Sequence, residues 1–216
     1  MEVCFDGRLV KDLFSELNAS NLSYILMRNI SQELPYQLNH GKDIDLLVKY
    51  EELKRFTRIL NDIGYKEVPH PHRGSVFLYG MKKFRFFRNK EGVLIDLNFK
   101  WCCRSLDAGQ WIPLDEYLQI SAWRNRVLAD INGLKYWSFG VEDEFVSLIV
   151  RSVFDKKGFT RGYIERIIEL RDVVSHIMVK ERLCLIFFNY TESLMSQVTA
   201  GNFDNIIENY MRFRSY

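Results

Sequence analysis

The sequence is short of the features that mark several function classes. It has four cysteines, Cys4, Cys102, Cys103 and Cys184, and none stands in a CxxC spacing. Adjacent cysteines such as Cys102 and Cys103 rarely bridge one another, so neither a disulfide framework nor a zinc site is suggested. That usage fits a reducing, cytoplasmic setting. No segment reaches the roughly 18 uninterrupted apolar residues of a membrane span. The stretch Met1-Glu2-Val3-Cys4-Phe5-Asp6 carries an early acid and lacks the apolar run of a secretory signal. Walker A, GxGxxG and GxSxG patterns are all missing. An excess of positive charge is missing too. Lys and Arg number 30 against 28 Asp and Glu, a net charge of +2, which argues against the basic footprint of a nucleic-acid binder.

What is present suits a globular chain. Its 216 residues fit one domain, or one domain with a helical extension. Hydrophobic residues make up 47% and charged residues 27%, an ordinary mixture with ample material for a core. With 16 Phe and 11 Tyr, the core and any cleft should be aromatic-rich.

Apolar periodicity predicts a helix over residues 8–18 and a strand at Tyr24-Ile25-Leu26-Met27. The polar stretch from Arg28 to Lys42, with Pro35 and Gly41, reads as a loop, and loops of this length are usually functional or mobile. A strand from Asp43 to Val48 follows. A helix from Glu51 to Ile63 then carries Leu53, Phe56, Ile59 and Leu60 on one face and stops at Gly64. Further strands are expected at Tyr65–Val68, Ser75–Tyr79, Lys83–Arg88 and Gly92–Phe99, the last two joined by an Asn89–Gly92 turn. Residues 112–137 give no clear pattern. From Val141 helical faces dominate: Phe145, Leu148, Ile149 and Val153; then Ile164, Ile167, Ile168, Val174 and Ile177; then Leu183, Ile186, Phe187 and Tyr190; then Phe203, Ile206, Ile207 and Tyr210. The expected fold class is α+β: a mixed-sheet core over residues 1–110, followed by a mainly helical domain over residues 111–216.

The carboxylates carry the chemistry. Asp43-Ile44-Asp45 opens an apolar strand, and Asp96 lies inside Val93-Leu94-Ile95-Asp96-Leu97. An acid in a strand interior is costly to bury without a partner. Residues two apart on a strand share a face, about 6.5 Å apart. Asp43 and Asp45 therefore project together, and a neighbouring strand carrying Asp96 would complete a cluster of three. Such a cluster needs a counter-ion. Mg²⁺ takes oxygen ligands and keeps positions open for substrate phosphates, and two ions can clamp an in-line displacement.

Other residues have plainer readings. His70 and His72 flank Pro71 without acidic or cysteine partners, as surface histidines do. His40 adjoins the loop before Asp43. The run Lys82-Lys83-Phe84-Arg85-Phe86-Phe87-Arg88 interleaves cations and aromatics as single-strand binders do. Strand alternation, with phenylalanines inward and cations outward, explains it more simply. Lys156, Lys157 and Arg161 stand where the helical half could bring them to a phosphate, and the favoured reading is a solvated turn.

The order Leu26-Met27-Arg28-Asn29, loop, Gly41-Lys42-Asp43-Ile44-Asp45-Leu46-Leu47-Val48, helix, Leu94-Ile95-Asp96-Leu97 resembles the nucleotidyltransferase fold of the polymerase-β superfamily. More narrowly, it is similar to bacterial nucleotidyltransferases of capsule and lipopolysaccharide gene clusters, which also have segments like Val141–Phe145 and Phe154–Gly158. The resemblance implies that Asp43 and Asp45 hold the metal at the phosphates of a nucleoside triphosphate donor. It implies that Asp96 shares a metal and helps deprotonate the acceptor hydroxyl, with pyrophosphate released. Arg28, Asn29 and Lys42 would contact the nucleotide. The superfamily's Gly-Ser pair after the first strand is replaced here by Arg28-Asn29, and a bidentate arginine contact to phosphate is one substitute. The implied acceptor is a small molecule or a glycan precursor. A toxin-like enzyme modifying RNA and an inactive scaffold of the same fold stay open at this point, as does the oligomeric state.

Overall fold

A computed structural model describes residues 4–69, 84–106 and 109–214. The Ser75–Tyr79 strand, His70, His72, Lys82 and Lys83 lie outside the described residues. The chain forms two compact units, Met1–Trp101 with Arg126–Phe139, and Cys102–Asn125 with Gly140–Tyr216. A single division at residue 110 groups residues differently, because the strand pair within Arg126–Phe139 returns to the first unit.

The first unit is a seven-stranded mixed sheet with α1 (Gly7–Ala19) and α2 (Leu53–Asp62) packed against one face. Its strands are β1 (Tyr24–Leu26), β2 (Asp43–Val48), β3 (Lys66–Val68), β4 (Arg85–Arg88), β5 (Leu94–Asn98), β8 (Val127–Ile131) and β9 (Leu134–Ser138), in the order β3-β4-β5-β2-β1-β9-β8. α1 starts where the Asp6 carboxylate accepts the Arg8 N–H at 2.9 Å, an N-cap that satisfies an otherwise orphaned donor. Val10, Leu13, Phe14 and Leu17 form its buried stripe. α2 buries Phe56, Ile59 and Leu60, and the chain leaves it through Gly64 at φ 90, a left-handed conformation that glycine adopts without a Cβ clash.

β4 and β5 are antiparallel neighbours, as the Asn89–Gly92 turn predicts, and the Asn89 side chain accepts the Val93 N–H at 2.8 Å to close that turn. The simple inward–outward alternation fails on β4. Phe86 and Phe87 are consecutive, hence on opposite faces, and both are buried, so this strand is covered on both sides. The stretch 112–137, which shows no clear apolar pattern, holds most or all of four elements. β7 (Trp111–Pro113) pairs with β6 (Cys102–Arg104), α3 spans Glu116–Arg124, and β8 and β9 form a hairpin. Asn132 and Gly133 at its tip both have positive φ, at 54 and 74, the requirement of a tight hairpin turn.

The second unit is mainly helical: α3, α4 (Val141–Val150), a π-helical continuation over Arg151–Lys156, α5 (Arg161–Arg171), α6 (His176–Phe187), α7 (Thr191–Thr199) and α8 (Ile206–Arg214). The expected apolar face through Ile168 and Ile177 is only partly a core face. Tyr163, Ile167 and Leu170 are buried on α5, but Ile177 is 73% exposed. The centre of this unit holds an ion pair, with Arg182 Nε 2.9 Å from Asp143 Oδ1 and both side chains almost fully buried. The Ser121 hydroxyl donates to Asp143 at 2.9 Å and accepts from Arg182 and from Asn125. Burial pushes the Asp143 carboxyl up, and Arg182 and Ser121 oppose that push.

Removing one partner of such a pair leaves a charge buried without compensation. Arg182→Met is expected to cost about 3–5 kcal/mol in urea unfolding, and Arg182→Met with Asp143→Leu to recover most of it. The thiols divide by burial. Cys4 and Cys184 are exposed, whereas Cys102 and Cys103 are buried and burial pushes the Cys103 thiol up to about 12. Titration of the native protein at pH 8 with a thiol-reactive chromophore is expected to modify Cys4 and Cys184 promptly, and Cys102 and Cys103 only after unfolding.

Candidate active site

The acidic site is a product of strand register. β2 and β5 are parallel neighbours, with Asp43 opposite Leu94, Ile44 opposite Ile95 and Asp45 opposite Asp96. Because faces alternate along a strand, Asp43, Asp45 and Asp96 share one face of the sheet. Ile44, Leu46, Val48, Ile95 and Leu97 project from the other face into the core formed with α1 and α2. The acids thus lie on the face opposite those helices.

The three carboxylates offer oxygens that all lie within 4.8 Å of one another. Their burial is graded: Asp43 is exposed, Asp45 intermediate and Asp96 buried. Each pair of ionised groups at that separation repels by roughly 3 kcal/mol at an effective dielectric near 20. The arrangement therefore favours a cation. The ligand set is oxygen only, the chemistry that suits a hard divalent ion such as Mg²⁺. Among the described residues this is the one group of three or more acids, histidines or cysteines placed to hold a metal.

Arg28 completes the cluster. The Met27 N–H donates to the Asp45 carbonyl at 3.0 Å, which extends the β1–β2 pairing by one residue and brings Arg28 beside the site. The Arg28 guanidinium donates to Asp45 Oδ2 as an ion pair. Both side chains are mostly shielded, at 21% and 13% exposure, so the pair is less screened than a surface contact.

The remaining nucleotide-contact candidates are held elsewhere. Asn29 Nδ2 donates to the Tyr136 hydroxyl at 3.0 Å, and Asn29 Oδ1 accepts the Leu34 N–H at 2.9 Å, so this side chain anchors the loop. Lys42 Nζ lies 2.7 Å from Glu33 Oε1. The His40 ring stacks on Phe5 with centroids 4.0 Å apart. In the second unit, Lys157 donates to the Leu106 carbonyl and Arg161 pairs with Glu165. Tyr136, which holds Asn29, lies in the stretch 112–137, whose sequence shows no clear apolar pattern. The Asn132-Gly133 dipeptide was the available signal for its hairpin.

Comparison with known proteins gives the family and the fold. The family model described as uncharacterised nucleotidyltransferase matches residues 12–181. No curated protein matches the chain. Among solved structures, the crystal structure of ANT(2'')-Ia in complex with adenylyl-2''-tobramycin is similar at 12% identity and TM-score 0.51, covering 83% of this chain and 95% of that one. The solution structure of the antibiotic-resistance factor ANT(2'')-Ia is similar at 12% identity and TM-score 0.50, covering 90% and 93%. The lincomycin-bound lincosamide antibiotic adenylyltransferase LnuA is more distant, at 14% identity and TM-score 0.47, covering 80% and 100%. Identities this low speak to the fold. The family match spans most of the chain, and the chain belongs to the uncharacterised nucleotidyltransferase family.

Proposed function

We propose that this chain is a metal-dependent nucleotidyltransferase that moves a nucleotidyl group from a nucleoside triphosphate to a hydroxyl or phosphate of a small-molecule or glycan-related acceptor. The observation that carries this reading is the set of three carboxylates within 4.8 Å on one face of the sheet. Asp43, Asp45 and Asp96 would hold one or two Mg²⁺ ions. Bound there, the metal would neutralise charge that builds on the attacking and leaving oxygens.

The protein's own part is positioning and electrostatics, as in phosphoryl transfer generally. Arg28 presents a planar fork that matches phosphate oxygens, at the point where the superfamily places Gly-Ser amides. Lys42, half exposed and one residue before Asp43, would supply a second cation near the phosphates by leaving Glu33. Asn29 contributes by fixing the backbone beside Arg28. Asp96 accepts the acceptor's hydroxyl proton. The acceptor oxygen attacks the α-phosphorus, the α–β bridging bond breaks, and pyrophosphate leaves with that electron pair.

A small acceptor is favoured over RNA by the net charge of +2. A solved protein of the same fold, ANT(2'')-Ia, is captured with adenylyl-2''-tobramycin, a nucleotidylated small molecule. Four free cysteines suit action in the cytosol, and among the described residues no helix is long and apolar enough to cross a membrane.

The test is a Mg²⁺-supported screen of the four common nucleoside triphosphates against sugar phosphates, polyol phosphates, aminoglycosides and RNA, read by mass. A nucleotidylated small molecule is the expected product. Labelled RNA as the sole product would replace the small acceptor, and no product with any acceptor, together with no metal-dependent change in melting temperature, would favour the inactive scaffold. Asp96→Asn should lower turnover by roughly 10²-fold or more. In metal-free buffer the same variant should be more stable by about 1 kcal/mol in thermal unfolding, because a site charge is removed. Retention of full activity would take Asp96 out of the mechanism.

A further inference from the structure

For the negative charge of one carboxylate, a divalent ion competes with a paired arginine. Asp45 already holds one: Arg28 donates to its Oδ2, in a pair largely shielded from solvent. The backbone on either side of Arg28 is fixed. The Met27 N–H is bonded to the Asp45 carbonyl at 3.0 Å, and Asn29 is tied to Tyr136 at 3.0 Å and to the Leu34 N–H at 2.9 Å. Any change of partner by Arg28 must therefore come from its side-chain torsions, with the loop staying in place.

Charge makes that change favourable in one direction. Three carboxylates within 4.8 Å attract a divalent ion more strongly than they attract the single charge of a guanidinium. An arginine displaced from Asp45 stays next to the site, and its fork suits phosphate as well as it suits carboxylate. A lysine would neutralise the acid as a point charge but would not reproduce the paired contact.

We propose that Arg28 is an exchangeable cation. It occupies Asp45 in the metal-free protein, surrenders that carboxylate to a divalent ion, and turns to the phosphates of the donor; the proposal rests on the metal-dependent transferase reading above. It gives the Arg28-Asn29 replacement of Gly-Ser a specific role. Arg28 lowers the affinity for metal alone and raises the affinity for metal with triphosphate, so the site fills as a unit.

These two effects have opposite signs, which a merely structural arginine would not produce. The experiment measures Mn²⁺ binding without nucleotide, by electron paramagnetic resonance of the free ion. It also measures binding of ATP, CTP, GTP and UTP with Mg²⁺, by calorimetry. Wild type is compared with Arg28→Gln and Arg28→Lys, each checked by circular dichroism. Arg28→Gln should bind Mn²⁺ about tenfold more tightly than wild type, and bind the preferred triphosphate roughly tenfold or more weakly, the effect expected for a charge-assisted hydrogen bond. Arg28→Lys should keep Mn²⁺ affinity near wild type and lose triphosphate affinity. Equal or weaker Mn²⁺ binding by Arg28→Gln overturns the exchange. If Arg28→Gln does not fold, unchanged triphosphate affinity in Arg28→Lys overturns it instead. Absence of Mn²⁺ binding in wild type and variants alike has a different meaning: the metal-site reading itself then fails, and the exchange with it.

Discussion

The parallel pairing of β2 with β5 sets Asp45 opposite Asp96 on one face and Ile44 opposite Ile95 on the other. Two jobs are thereby given to the same eleven residues. The apolar face holds the sheet to α1 and α2, and the acidic face gathers like charges that on their own would push the strands apart. Burial of a Val, Leu or Ile side chain contributes about 1.5–3 kcal/mol. Two such residues match the repulsion of one carboxylate pair, and β2 and β5 place five of them in the helix-covered core. The acidic cluster can therefore be held without metal because the opposite face of the same strands is apolar.

The chain contains two buried acids that solve the burial problem differently, and the contrast separates structure from function. Asp143 is fully buried and faces Arg182, Ser121 and, through Ser121, Asn125. Its charge is matched one to one and its neighbours are saturated with hydrogen bonds, so it offers a substrate nothing. Asp96 is buried beside two more acids, in a group that Arg28 meets at Asp45 and that opens toward solvent through exposed Asp43. Clustered acids that are held in place and reachable from outside are what a cation site needs.

That difference also explains what could be read from the sequence. Asp43, Asp45 and Asp96 were legible because each interrupts an apolar strand pattern, where an acid has few structural excuses. α1, α2 and the β4–β5 turn were legible for local reasons: apolar spacing, Gly64 after α2 and Asn89 before β5. Asp143 gave no such signal. In Val141-Glu142-Asp143-Glu144-Phe145 it reads as one of three acids in a first helical turn, a common exposed arrangement, and its partner Arg182 is distant in sequence. Short strands such as β6 and β7 hold three residues each and cannot display a period. Ile177 fell on the wrong side because α6 is apolar over much of its circumference, so spacing alone does not choose its buried face.

Register is the last link between these observations. Sliding β5 by one residue against β2 would carry Asp96 to the helix-covered face, among Ile44, Leu46 and Val48, and turn Ile95 and Leu97 to the acidic one. The penalty would include both a carboxylate in an apolar core and the loss of two core side chains. The correct register is thus enforced from the side of the sheet that does no chemistry. Substitutions on the acidic face can change charge, metal affinity or phosphate contacts while Ile44, Leu46, Ile95 and Leu97 continue to fix where residues 43, 45 and 96 stand. Under the proposed function, Arg28-Asn29 is a change of that kind, with its backbone fastened by the Asp45 carbonyl and by Tyr136 rather than by the carboxylates. On that reading the sheet accepts a different phosphate-binding device at the end of β1 without moving the carboxylates that device must serve.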